Sequence, residues 1–141
     1  MITEEVKFSG HPNVRATHSR TIEITKDNYL TKEGNCIVGI NANKGCIDIH
    51  PKLRTLITKD NILINFKIIV GTLSFEINGF GNSGLTLSNP HDIVIRTSNY
   101  ISNRTASIKC NKAAIHIPRD MINLLQDSKT KGTLIISANE L

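Results

Sequence analysis

Residues 61–78 read "NILINFKIIVGTLSFEIN", a run in which Ile62, Ile64, Phe66, Ile68 and Val70 recur at every second position. β-Branched and aromatic side chains crowd a helix but suit a pleated, half-buried surface. Gly71 interrupts the run. The stretch therefore predicts two strands around a glycine turn, or one bent strand with a bulge there. Working outward, the same pattern returns in "EVKFS" (Glu5–Ser9), "VRATHSRTIEITK" (Val14–Lys26), "CIVGI" (Cys36–Ile40) and "LTL" (Leu85–Leu87). It returns again in "DIVIRT" (Asp92–Thr97), "RTASIKC" (Arg104–Cys110) and "GTLIISA" (Gly132–Ala138). Each alternates or runs apolar between turn-forming residues.

Two stretches change period. "PKLRTLIT" puts Pro51 in a first turn and Leu53, Leu56 and Ile57 on one face. "PRDMINLLQDSKTKG" repeats this with Pro118, Met121, Leu124 and Leu125. Asp120 sits in its first turn, and Gly132 is expected to end it, with Lys129 and Lys131 nearby. The regular strand–helix alternation of βαβ units is missing. The expectation is a mainly β fold: an antiparallel β-sandwich or barrel-like domain with two short α-helices, spanning 1–141 as a single domain.

Composition excludes more than it selects. With 39% hydrophobic and 21% charged residues the chain is of globular type, not disordered. No apolar run approaches the roughly 18 residues of a membrane span. The opening "MITEEVKFSG" carries no signal-like stretch, so a cytoplasmic protein without a membrane partner is expected. The "NRT" at Asn103 fits a glycosylation sequon, which carries no meaning without secretion. Cys36, Cys46 and Cys110 are too few for a disulfide framework, and buried free thiols are the simplest reading. Cys46 and His50 stand four apart, but no second pair completes a zinc site. A net charge of +5 invites nucleic acid, yet the basic residues are scattered and only 4% of residues are aromatic.

Two patterns need weighing. "ITKDNYL" (Ile24–Leu30) nearly matches "ITKDNIL" (Ile57–Leu63), but one follows a strand-like run and the other a helix-like one. They read as one turn chemistry used twice, not as a repeat. "GFGNSG" (Gly79–Gly84) has the glycine spacing of a dinucleotide loop. An alternating "LTLSNP" follows it where a phosphate-binding helix is required, so a hairpin loop is expected.

The candidate site lies in "GHPNVRATHSRTIEIT" (residues 10–25). If Val14–Thr25 is one strand, Asn13, Arg15, Thr17, Ser19, Thr21, Glu23 and Thr25 share a polar face. Val14, Ala16, His18, Arg20, Ile22 and Ile24 share the other, which its apolar ends mark as inward. A buried arginine needs relief: a register-shifting bulge near Ser19, a carboxylate such as Glu76 or Asp48, or a solvent-filled cavity. The plainer alternative is a hydrogen-bonded core His18 with Arg20 at the sheet rim.

"GHPNVRATHSRTIEITKD" with "LTKEGNCIVGI" resembles an archaeal family known as domain of unknown function 371, over Gly10 to about Ile40. The matching positions are Gly10, His11, His18, Thr21, Glu23, Thr25, Gly34 and Cys36. Members commonly carry Asp where this chain has Asn35, which puts any role of that carboxylate in doubt. The resemblance implies a single-domain, sandwich-like archaeal protein and assigns no activity.

Three functions follow as expectations. The first is a small-molecule or metal-binding site, hydrolytic chemistry included, around His11, His18 and Arg20. There His11, His18 and Glu23 carry catalysis, while Arg20, Asn13 and Cys36 hold an anionic ligand. Glu23 is its weak member, because alternation sets it opposite His18. The second is a nucleic-acid accessory module using Arg15 and the hydroxyl-rich face. The third is a non-catalytic interaction or scaffold protein, homo-oligomeric association included. The sequence indicates no cofactor and no particular metal.

Overall fold

The structure, a computed structural model, describes residues 1–140. Six elements open the chain: β1 (Ile2–Ser9), β2 (Thr21–Thr25), β3 (Ile37–Gly39), a 3₁₀ turn (Cys46–Asp48), α1 (Pro51–Ile57) and β4 (Leu63–Val70). Six follow in the same order: β5 (Leu73–Phe80), β6 (Asp92–Arg96), β7 (Thr105–Ser107), a 3₁₀ turn (Ala114–His116), α2 (Arg119–Leu125) and β8 (Lys131–Ala138). The second half repeats the first.

The strands form two four-stranded sheets, ordered β1-β8-β4-β5 and β3-β2-β6-β7. The first is antiparallel throughout. The second is mixed: β2 and β6 are antiparallel at its centre, and β3 and β7 flank them in parallel. Parallel neighbours cannot be joined by a tight hairpin, and long connections lead from β2 to β3 and from β6 to β7. Single bridges, Ser9 to Ile40 and Phe80 to Ile108, close both seams between the sheets. The expected mainly β, sandwich- or barrel-like architecture is thus what the chain adopts. Gly71, with φ of 60°, makes the turn that splits residues 61–78 into β4 and β5.

The repetition extends to individual bonds. The Asn43 side chain accepts the Lys7 amide while Lys44 Nζ donates to the Glu5 carbonyl. Asn111 and Lys112 do the same for Asn78 and Glu76. These pairs occupy the outer edges of β1 and β5, which would otherwise present free backbone to another chain. Inside, one continuous core joins Val6, Phe66, Ile68 and Leu134 of the first sheet to Ile22, Ile24, Ile93 and Ile95 of the second. Leu53 and Ile57 of α1 and Met121 and Leu125 of α2 complete it.

Three expectations about elements are corrected. Val14–Lys26 is not one strand, because β2 begins at Thr21 and Ala16 is left-handed, with φ of 52°. Leu85–Leu87 is not a strand either, and Leu87 is left-handed, with φ of 50°. Both residues are fully buried, and an arginine anchors each bend. Arg119 donates to the carbonyls of Arg15 and Ala16, both at 3.1 Å. Arg54 donates to those of Thr86 and Leu87, at 3.2 and 2.8 Å. Finally, α2 stops at Leu125, and Gly132 lies within β8, where a side chain would meet the Phe8 ring. The "GFGNSG" segment is the end of β5 and a loop with no helix directly behind it, as expected, but it is not a hairpin, because β5 pairs with β4 while β6 lies in the other sheet. Among the described residues no helix is long and apolar enough to cross a membrane.

Candidate functional site

Ile22 and Ile24 point into the core, so Thr21, Glu23 and Thr25 face the other side of β2. Register sets them beside Arg96, Val94 and Asp92 of β6. That second face is covered: Glu23, Thr25, Val94 and Thr105 are all buried. A carboxyl therefore sits in the interior at the centre of the antiparallel β2–β6 pair, where the two halves of the chain meet.

Residues leading into the flanking strands close over it. Glu23 Oε1 accepts from Arg104 Nη1 at 3.1 Å and lies 4.0 Å from the Cys36 thiol. The same Arg104 nitrogen reaches Asp92 Oδ2 at 3.3 Å, and the Thr25 hydroxyl donates to Asp92 Oδ1 at 2.7 Å. Arg96 donates through Nε to Thr105 Oγ1 and through Nη2 to Ser102 Oγ, with its guanidinium 4.9 Å from the centre of the Tyr100 ring. Among the described residues, Glu23 Oε2 has no hydrogen-bond partner, yet no buried side-chain oxygen or nitrogen is left unsatisfied. Oε2 is therefore not sealed from solvent, although the side chain as a whole is only 8% exposed.

Burial dominates the electrostatics and pushes Glu23 up to about 7, against the pull of Arg104 and Arg96 and with help from Asp92 and Asp27. Burial also raises the Cys36 thiol, the Glu23 charge adds to this, and the adjacent Thr21 hydroxyl opposes both. The pair is a protonatable carboxyl beside a protonated thiol, not a thiolate nucleophile.

The expected site residues divide. Glu23 and Cys36 come together, and His18 is joined to them through Thr21, whose hydroxyl lies 3.0 Å from His18 Nδ1. His18 itself shapes a turn: Nδ1 accepts the amides of Arg20 and Thr21. Asn89 does this in the second half, accepting the amides of His91 and Asp92. His11 Nδ1 likewise accepts the Asn13 amide, and the Asn13 side chain donates to the Leu30 carbonyl. No hydrogen bond or ion pair among the described residues links His11 or Asn13 to Glu23. Arg20 is exposed, not inward, and pairs with neither proposed carboxylate: Glu76 is bound by Lys67 and Asp48 by Lys26.

No group of three His, Cys, Asp or Glu side chains stands ready for a metal among the described residues, and the position between Glu23 and Asp92 is filled by a guanidinium. Cys46 and His50 do not converge either: the Cys46 thiol donates to the Arg104 carbonyl and His50 Nδ1 caps α1. Sequence reasoning missed Asp92, Arg96, Arg104 and Thr105. Arg104 and Thr105 belong to the "NRT" noticed only as a sequon, and Arg96 ends the alternating "DIVIRT".

Comparison with known proteins extends the likeness well beyond the stretch around His11 and Cys36. The family model described as Domain of unknown function (DUF371) matches residues 6–139. An uncharacterized protein of Methanocaldococcus jannaschii is 41% identical over 124 residues, covering 88% of this chain and 91% of that one. Each element of both halves falls within or overlaps the matched span, and the chain belongs to the DUF371 family.

Proposed function

We propose that this chain binds a small molecule at the Glu23 cluster and exchanges one proton with it near neutral pH. The observation that carries this reading is a buried carboxyl with one oxygen free of any hydrogen bond among the described residues, which burial pushes up to about 7. A purely structural carboxylate would spend both oxygens, as Asp92 does. An acid or base working at neutral pH needs this poise, and it gains most when its pKa lies near the working pH. The roles differ from those read in the sequence. Glu23 is the proton carrier, Arg104 and Asp92 fix its position, and Cys36 is a neutral neighbour on Oε1. His18 acts at one remove, holding the turn that presents Thr21. With Oε2 as a base toward water, the same carboxyl would serve hydrolysis.

Two measurements test this. Carbon-detected NMR of the side-chain carboxyls should show Glu23 titrating near pH 7. A set of small polar metabolites screened by ligand-observed NMR at pH 6 and pH 8 should contain binders whose pH dependence is lost on Glu23→Gln. A Glu23 that titrates within the ordinary carboxylate range, or a screen in which Glu23→Gln changes nothing, overturns the proposal.

A further inference from the structure

Resting on that reading of the site, we propose that its ligand is a small carboxylate monoanion, gripped by Arg104 and Arg96 and taken up together with one proton on Glu23. The cluster has spent every carboxylate oxygen except Glu23 Oε2, and it has kept donors free. Both Asp92 oxygens and Glu23 Oε1 are occupied. By contrast, Arg104 Nε and Nη2 and Arg96 Nη1 have no partner among the described residues. The Arg104 side chain is 41% exposed, and neither of its unpartnered nitrogens is sealed in the interior. Arg54 and Arg119, by comparison, direct their guanidinium groups to backbone carbonyls and have a structural role. A planar guanidinium with two free N–H edges matches the fork of a carboxylate.

Charge sets the valence of the ligand. The groups facing Glu23 are the Cys36 thiol ahead of β3, Asp92 and Arg96 on β6, and Arg104 ahead of β7; its neighbours on β2, Thr21 and Thr25, are uncharged. Asp27, just past β2, is exposed and its charge is screened by water. With Glu23 protonated, two guanidinium groups face one carboxylate, and a single negative charge restores balance. With Glu23 ionised the balance is already met, and an incoming anion finds no net attraction. A protonated Oε2 also offers the ligand a donor, whereas an ionised one repels it. Anion binding and proton uptake on Glu23 are thus one event, and by linkage each favours the other.

The test uses acetate and pyruvate as probes, followed through the Nε–H signals of Arg96 and Arg104. At pH 6 both probes should shift these signals saturably. Above pH 7 the dissociation constant should rise by about tenfold per pH unit, the limit for one linked proton. Glu23→Gln should bind equally at pH 6 and pH 8, and Arg104→Lys, which keeps charge but loses the fork, should bind at least about tenfold more weakly. No saturable shift at millimolar probe, equal wild-type affinity at the two pH values, or tighter binding of phosphate dianion than of acetate at pH 8 overturns the inference. The same spectra report the Glu23 titration. If it stays near 7 while acetate fails to bind, only the ligand class falls; if it drops to the ordinary range, the acid–base reading falls.

Discussion

Glu23 keeps its proton up to about pH 7 in the folded chain, against an ordinary value of 4.5, and burial is the main cause. Between those limits the folded state binds more protons than the unfolded one, so stability must fall as pH rises. The contribution is intact below 4.5 and is lost through 7. The full shift corresponds to about 3 kcal/mol at most, since one pKa unit is worth about 1.4 kcal/mol. Urea unfolding of the wild type is expected to lose about 2 kcal/mol between pH 5 and pH 8 from this group, and Glu23→Gln should abolish that loss. The thiols give a second readout. Burial pushes Cys46 to about 12 and Cys110 to about 11, while Cys36 is only half-buried. At pH 8 a disulfide reagent should therefore modify Cys36 first and the other two only in denaturant. Removing the neighbouring charge by Glu23→Gln should speed the Cys36 reaction, because Glu23 helps to hold that thiol protonated. A faster reaction at Cys46 than at Cys36 would contradict this ordering. Glu23 was visible in the sequence, and alternation did set it opposite Ile22 and Ile24. Alternation assigns a face and says nothing of what covers it. Asp92, Arg96 and Arg104, which complete the cluster, are distant in the chain and are brought in by β2–β6 pairing and the turn into β7.

At the scale of elements, the two halves annotate each other. His18 and Asn89 occupy equivalent turns and accept equivalent pairs of backbone amides. If the histidine works there as a turn acceptor, His18→Asn should hold the melting temperature close to wild type. His18→Ala leaves two amides without their side-chain acceptor and should cost about 1 kcal/mol in thermal or urea unfolding. Equal losses for both variants would show that the ring does something asparagine cannot. This equivalence was partly legible. "TIEITKDNYLT" from Thr21 and "DIVIRTSNYIS" from Asp92 align without a gap, sharing Ile22 with Ile93, Ile24 with Ile95, Asn28 with Asn99 and Tyr29 with Tyr100. "NKGCIDI" from Asn43 and "NKAAIHI" from Asn111 align as well. What obscured them was a better match in the wrong place, because "ITKDNYL" and "ITKDNIL" are nearly identical while one ends a strand and the other a helix. Most strands and both helices were legible from period alone. The strands expected over Val14–Arg20 and Leu85–Leu87 were not there, because a left-handed residue bends each segment and nothing in Ala16 or Leu87 announces positive φ.

For the whole molecule, the order β1-β8-β4-β5 alternates strands from the first and second halves. Neither half can form this sheet alone, since β8 separates β1 from β4 and β4 separates β8 from β5. Separate fragments 1–70 and 71–141 are accordingly expected to be unfolded singly and to gain strand structure, read by circular dichroism, on mixing. The same repetition makes the β4–β5 hairpin the counterpart of the β8–β1 pair, in which Ile2 lies opposite Ala138 just as Val70 lies opposite Leu73 in the hairpin. One pair is joined by a turn and the other is not, yet both present adjacent antiparallel ends. A permutant with a short linker joining the ends and the chain opened between Gly71 and Thr72 should keep the fold. A two-residue turn is exchanged for a modest loop, at an expected cost of about 1–2 kcal/mol. Gly71 supports this choice, being exposed with open space where a side chain would stand. Opening at Gly10 should be far more damaging, since a side chain there would run into the Leu125 and Asp127 carbonyls and its amide is bonded to the Thr130 carbonyl. Because Glu23 sits where the halves meet, its carboxyl titration gauges more than folding in the permutant. A Gly71 permutant that folds but loses the elevated Glu23 titration would mean that the β4–β5 turn sets the geometry of the β2–β6 pair. Retention of that titration would locate the site's determinants entirely within the second sheet.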